Sequence, residues 1–472
     1  MATDPGYRLY AMLKATPALN EFYGAKDYER LAKYTAELLE SEPYSAASLV
    51  GTFEVVGAPS NDWHPAFVGD EESKSLPTFA ELAVVYNFID AGSQQKFIDV
   101  TQSVRTMHPA ADIRGVGVDI GVGASDHWCP GQANVAFAHR AHARRTVNAD
   151  ALIAQGLYGQ NVNVVIIDQG LDRSSIKPRN WGGGLNWNGS PPHTVAVGAA
   201  ERTSHGMMIA RSILDLAPSA VLYDVPLIPQ RILVNQFFSG VSSAQAIYQT
   251  ILAKIASLRT QPRWSGPWIL VNAWAIFDRA SESPLGNYTE NKALLAGSDH
   301  PMIAQVKKAI HRNRLDVVFA AGNCGEFCPS KRCGGVDRGP GHSIWGANAL
   351  PEVITTGSVL SDGMWAGYSS QGPAPDTNTL AKFKPDLCAP SDFVETNDAA
   401  LRNSGTSTAC GMTAGVVAAL RSFPAWSQAV VAPATMHQAL TKGARRVQGT
   451  AGWTNRFGNG ILDVKGAIAQ LP

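Results

Sequence analysis

The chain has 472 residues, with 39 Lys and Arg against 39 Asp and Glu, 45% hydrophobic residues and 17% charged ones. A formal charge of zero excludes a nucleic-acid binder that works through a basic face, and the apolar share excludes a disordered chain. No apolar run reaches the ~20 residues that a membrane span needs, so neither a nucleic acid nor a membrane is an expected partner.

Residues 1–110 suggest a small α+β domain. Tyr28, Leu31, Ala32, Ala36 and Leu39 fall near one face of a helix over residues 26–41. Residues 48–56 are β-rich, and Pro77 opens a second helical run, PTFAELAVVYNFI, followed by a further strand over residues 94–101. The first residues, MATDPGYRLYAMLKATPALNEF, show no basic stretch leading into an apolar one. The expectation is therefore a cytoplasmic protein, with a secreted one as the alternative if a signal has been removed. Residues 111–147, Gly-dotted and then basic (HRAHARR), form a linker or cleavage region; the plainer alternative is a surface loop with solvated charges.

From residue 148 to 472 the pattern changes. Asn148 is placed to cap a helix through ADALIAQGL. Continuous apolar runs follow at 162–167, 220–225, 268–273, 316–321 and 353–357, separated in part by helical patterns at 242–258 and 300–313. Buried runs alternating with helices predict an α/β fold with a mostly parallel sheet covered on both faces. In such sheets reactive groups gather at the carboxyl ends of strands.

Four polar residues meet that condition. Asp168 follows VNVVII, His205 opens HGMMIA, Asn323 closes VVFAAGN, and Ser407 lies in NSGTSTACG before an apolar helix. A serine hydroxyl needs a base within hydrogen-bond reach, and histidine can take that proton and return it to a leaving amine. A carboxylate on the other ring nitrogen fixes the tautomer, and an amide beside a helix-start N–H can hold an oxyanion. The order Asp168, His205, Ser407, with Asn323 between the last two, resembles the subtilisin-like serine proteases. YSSQGP (368–373), KPDLCAP (384–390), WGANALPEVITTG (345–357) and FGNGILDVKGAI (457–468) resemble further segments of that family.

The resemblance covers about residues 148–468 and implies a subtilisin-like catalytic domain over 148–472. It implies a serine endopeptidase acting on proteins or peptides through an acyl-enzyme, with Asp168, His205 and Ser407 as the triad and Asn323 in the oxyanion hole. The alternative is a latent or non-catalytic member acting as a binding or regulated module. Asn272, Ala273, Trp274 and Ala275, with Ala321 and Gly322, fall where the family binds substrate. Ala275 in place of a glycine and the bulk of Trp274 suggest a narrowed S1 pocket favouring small P1 residues (P1 being the residue whose carbonyl is attacked) or a restricted set of protein targets, or otherwise a local repacking. Gly411 replaces the family's proline, which suggests a differently seated helix. The N-terminal region is either a prodomain or a permanent recognition module. The family often binds calcium, but no acidic loop is present and no cofactor or metal is expected. Cys324, Cys328 and Cys333 leave open a disulfide, free thiols or a metal site, and nothing fixes the oligomeric state.

Overall fold

The computed structural model describes the strands at 8–14, 51–55 and 81–88, then residues 92, 94–100, 113–125, 138–185, 194–229, 240–282, 300–374 and 383–472. Four strands, β1 (Arg8–Lys14), β2 (Gly51–Val55), β3 (Glu81–Phe88) and β4 (Ile113–Val118), pair antiparallel in the order β2-β3-β1-β4. Next come two short strands, β5 (Gly123–Ala124) and β6 (Ala138–His139).

The apolar runs after residue 148 build the main sheet. Its strands are β7 (Asn163–Asp168), β8 (Trp181–Gly184), β9 (Val221–Pro226), β10 (Trp268–Asn272), β12 (Asp316–Ala320), β13 (Ile354–Val359) and β14 (Leu387–Pro390). They lie in the order β14-β13-β12-β10-β7-β9-β8, every pair parallel. Three further short strands lie among the described residues: β11 (Trp274–Ala275), β15 (Phe393–Glu395) and β16 (Asp398–Asn403).

Successive side chains of β7 point to opposite layers. Val164 and Ile166 join one apolar cluster and Val165 and Ile167 the other, which is why the run is apolar throughout rather than alternating. From residue 138 onward the described α-helices are α1 (Arg140–Thr146), α2 (Asp150–Ala154), α3 (His205–Leu216), α4 (Val241–Leu258), α5 (Pro301–Lys307), α6 (Gly405–Arg421), α7 (Pro433–Gly443) and α8 (Val464–Gln470). Helices α3 and α6 cover the first layer, α4 and α5 the second.

Helix α6 carries no proline at 411, and the reason is packing. A Cβ on Gly411 would sit 3.1 Å from Ser212 Cβ, and one on Gly415 3.1 Å from Leu216 Cβ, so two glycines one turn apart let α6 lie close against α3. At its far end, Arg421 donates to Asp316 Oδ1 and Oδ2 (2.6 and 2.7 Å) and to the Trp426 and Val431 carbonyls, with both charged side chains fully buried.

Four local expectations are corrected. Residues 81–88 form strand β3 rather than a helix: Val84, Val85, Tyr86 and Phe88 suit a strand, and β1 and β2 pair with it on either side. Residues 94–100 are helical rather than extended, because Gln94, Phe97 and Ile98 are buried at helical spacing. Asn148 does not cap a helix from its side chain. It adopts a left-handed φ of 55° two residues before α2 and donates to Asp463 Oδ1 at 2.9 Å. The helix expected over 26–41 lies outside the described residues. Within 138–147, Arg140 is not solvated: it is buried and makes a two-pronged contact with Glu395 at 2.5 Å.

Candidate active site

Asp168 ends β7 and is completely buried. His205 is the first residue of α3, whose N-cap Ser204 accepts from Met207 N at 3.2 Å and donates to Gly170 O at 3.1 Å. The cap thus fastens the helix start to the turn after β7. His205 Nδ1 meets Asp168 Oδ1 at 2.6 Å, and the His205 backbone N–H donates to Gln169 Oε1 at 3.2 Å. Gln169 therefore helps to fix the residue that carries the imidazole.

The turn into α6 sets Ser407. Gly405 has φ +72°, a conformation that glycine enters without strain, and it turns the chain from β16 into the helix. Ser407 then lies in the first turn, with the positive end of the helix dipole behind it. Its Oγ donates to the Ala273 carbonyl at 2.9 Å.

Asn323 comes from the loop after β12. Its Oδ1 accepts from Thr406 N (3.1 Å) and Thr406 Oγ1 (2.9 Å), which leaves Nδ2 to point across the cleft. Thr406 Oγ1 in turn accepts from Gly322 N at 3.1 Å. One residue before Ser407 therefore orients the amide.

The chain's own segment 123–125 lies in this cleft. β5 pairs antiparallel with β11, Ala124 opposite Trp274 and Gly123 opposite Ala275. Ser125 N donates to Ala273 O at 2.9 Å. The Ser125 carbonyl accepts from Asn323 Nδ2 at 2.5 Å and from Ser407 N at 3.3 Å. One carbonyl oxygen thus takes two converging donors from two separate elements.

Of the residues expected to bind substrate, Ala273, Trp274 and Ala275 contact this segment through their backbones. Asn272 does not: it is fully buried and its Nδ2 turns to the Val318 carbonyl at 3.4 Å. The Ala321 N–H is engaged with Thr356 O. The Ala275 methyl faces Gly322, where an added Cβ would come within 3.3 Å of it. The Trp274 indole is fully buried and edge-on to Phe319, with ring centroids 5.3 Å apart.

A second carboxyl, Asp224, stands near Asp168 and accepts from Gly198 N (2.7 Å) and Leu171 N (3.1 Å). Burial pushes its pKa up to about 6; the two N–H bonds oppose the rise and the Asp168 charge adds to it. The folded state therefore holds this proton more tightly than the unfolded chain, whose value is near 3.8. The resulting stability is complete below about pH 4 and is lost as pH rises through 6. Asp392, pushed by burial to about 7, acts in the same direction. Asp224→Asn should remove its share of the fall in melting temperature between pH 4 and 7. Thermal melts of the Ser407→Ala protein with and without the change would check this, and an unaltered slope would contradict it.

Cys324 and Cys333 form a disulfide that closes the loop following Asn323, Cys328 is also disulfide-bonded, and Cys388 and Cys410 are buried free thiols. Among the described residues no group of three or more His, Cys, Asp or Glu side chains is placed to hold a metal ion. No described helix is long and apolar enough to cross a membrane.

Residues 159–460 match the model of the subtilase family. The chain belongs to the subtilase family. It is accordingly a serine endopeptidase, and its substrates are proteins or peptides. No curated protein matches it in sequence. Among solved structures it is similar to fervidolysin from Fervidobacterium pennivorans, a keratinolytic enzyme related to subtilisin. That likeness has 14% identity and a TM-score of 0.56, covering 98% of this chain and 61% of the other, and it shows the shared fold. It is also similar to MycP1 from Mycobacterium smegmatis, at 17% identity and a TM-score of 0.45, covering 75% and 89%.

Three participants in this subtilase's cleft escaped the reading of its sequence. Thr406 had a visible signal, its place beside Ser407 in a helix-opening turn. Ser125 lies inside the Gly-dotted stretch expected to be a linker or cleavage region. Arg332, from the cysteine-rich loop, donates to the Ala124 carbonyl at 2.7 Å; the cysteines marked the loop but not the arginine.

Proposed function

We propose that Ser407 cuts peptide bonds with His205 as base and then acid, Asp168 as the orienting carboxylate, and Asn323 Nδ2 with Ser407 N as the oxyanion donors. The observation that carries this reading is the Ser125 carbonyl oxygen, held by both donors while Asp168 engages His205. With Nδ1 bound to Asp168, Nε2 is the ring nitrogen that exchanges the proton. Ser407 Oγ swings from Ala273 O toward the imidazole, loses its proton to it and bonds to the carbonyl carbon. The oxyanion collapses with loss of the amine, which takes that proton, and water then repeats the sequence to release the acid. Each oxyanion donor contributes about 3 kcal/mol to lowering the barrier.

The first bond offered is in the protein itself. Residues 123–125 lie along β11 as an added strand, and the carbonyl between the donors belongs to the Ser125–Asp126 bond. The N-terminal region through Ser125 is thus a prodomain, and the enzyme is latent while that segment holds the cleft. Ser125 as P1 and the Ala275 methyl facing Gly322 support a preference for small P1 residues. The Cys324–Cys333 disulfide supports work in an oxidising compartment, the secreted alternative rather than the cytoplasmic expectation.

A fluorophosphonate probe separates the catalytic reading from a binding module. Processed enzyme should be labelled on Ser407, and His205→Ala should slow labelling by at least a hundredfold. A processed, folded protein that takes no label would refute the triad.

A further inference from the structure

We infer that Arg332 is a substrate-clamping residue that grips the P2 carbonyl and makes P3 a glycine position. The inference rests on residues 123–125 occupying the cleft as a substrate does. Arg332 Nη2 donates to the Ala124 carbonyl, the P2 oxygen, at 2.7 Å. The guanidinium lies over the Phe277 ring, 3.9 Å from its centroid, and so presents its donors edge-on to the bound strand.

The same stack shapes the neighbouring position. A Cβ built on Gly123, the P3 residue, would come 2.8 Å from Arg332 Nη1 and 3.2 Å from Phe277 Cε2. A side chain there must push the guanidinium off the ring or off the P2 oxygen. The clash and the hydrogen bond share one group, so a larger P3 residue costs the clamp as well as the contact.

The loop that carries Arg332 is tied at several points. The Cys324–Cys333 disulfide closes it one residue beyond Asn323 and one beyond Arg332. Ser330 N donates to Asn323 O at 2.8 Å, and Gly334 N to Phe277 O at 2.8 Å. Arg332 Nε reaches Ser330 Oγ at 3.4 Å. The arginine is therefore set in register with Asn323 on one side and with its stacking partner on the other.

The test uses processed enzyme and two peptides that differ only at P3, one carrying Gly-Ala-Ser-Asp and the other Ala-Ala-Ser-Asp across the bond to be cut. Wild type should favour the glycine peptide at least fivefold in kcat/KM; equal rates overturn the inference without any variant. Arg332→Ala should lower kcat/KM for the glycine peptide by about tenfold to a hundredfold, the size of a hydrogen bond from a charged group. The loss should fall in KM, with kcat within about twofold and the preference for glycine reduced to what the Phe277 contact alone imposes. Fluorophosphonate labelling of Ser407 at the wild-type rate shows that the variant's catalytic centre is intact. An Arg332→Ala enzyme that labels normally yet keeps both KM and the glycine preference refutes the clamp. Failure of wild type to label refutes the catalytic reading instead.

Discussion

Ser407→Ala should abolish peptide hydrolysis, by about 10⁶-fold in kcat, and leave the chain uncut between Ser125 and Asp126. The change removes one oxygen while the backbone N–H at 407 stays, so Ser125 O keeps both of its donors. The segment should remain bound and the fold unperturbed. Wild type should yield a product beginning at Asp126. Intact mass and N-terminal sequencing of both proteins, purified identically, check the two halves together. A Ser407→Ala chain cut at that bond at the wild-type rate would transfer the cleavage to another agent.

Arg421→Ala should be the most damaging change to stability among the buried ion pairs, costing about 3–5 kcal/mol because it strands a charge away from water. Arg421 satisfies both oxygens of Asp316 and two carbonyls beyond the end of α6, while Gln428 Nε2 adds a 2.7 Å bond to Asp316 Oδ2. Removing the arginine leaves Asp316 with the Gln428 hydrogen bond and the attraction of the buried Arg259, and frees the chain after the helix. Replacing both residues with apolar ones of similar volume should cost less than Arg421→Ala alone. Urea unfolding in the Ser407→Ala background, where self-digestion does not interfere, gives both numbers. A loss below about 1 kcal/mol for Arg421→Ala would show that water reaches the carboxylate.

The parallel sheet was legible because both of its faces are buried, which makes β7, β10 and β12 unbroken apolar runs. Asp168, Asn323 and Ser407 were legible for a related reason: polar residues directly after such a run, or in a glycine turn before an apolar helix, have few structural duties there. The strand at 81–88 was misread because residues 82–86 are apolar in succession and carry neither a period of two nor one of 3.6. Only its pairing with β1 and β2 decides the matter. Residues 94–100 were misread for the opposite reason, a short β-like composition whose buried members prove to lie on one helical face. Ser125 and Arg332 carry no local signature at all. Each acquires its place from a partner more than a hundred residues away in sequence, Asn323 for the one and Ala124 for the other.

The occupied cleft has a consequence for how this enzyme meets competitors. Because the bound strand and the site belong to one polypeptide, their encounter does not depend on how many molecules share the solution. Covalent linkage of strand and site corresponds to an effective concentration on the order of millimolar. On the proposed reading, dilution should leave the ratio of closed to open molecules unchanged, and an outside peptide of micromolar affinity should gain entry only after the tether is severed. The onset of turnover should accordingly follow a first-order clock set by each molecule for itself.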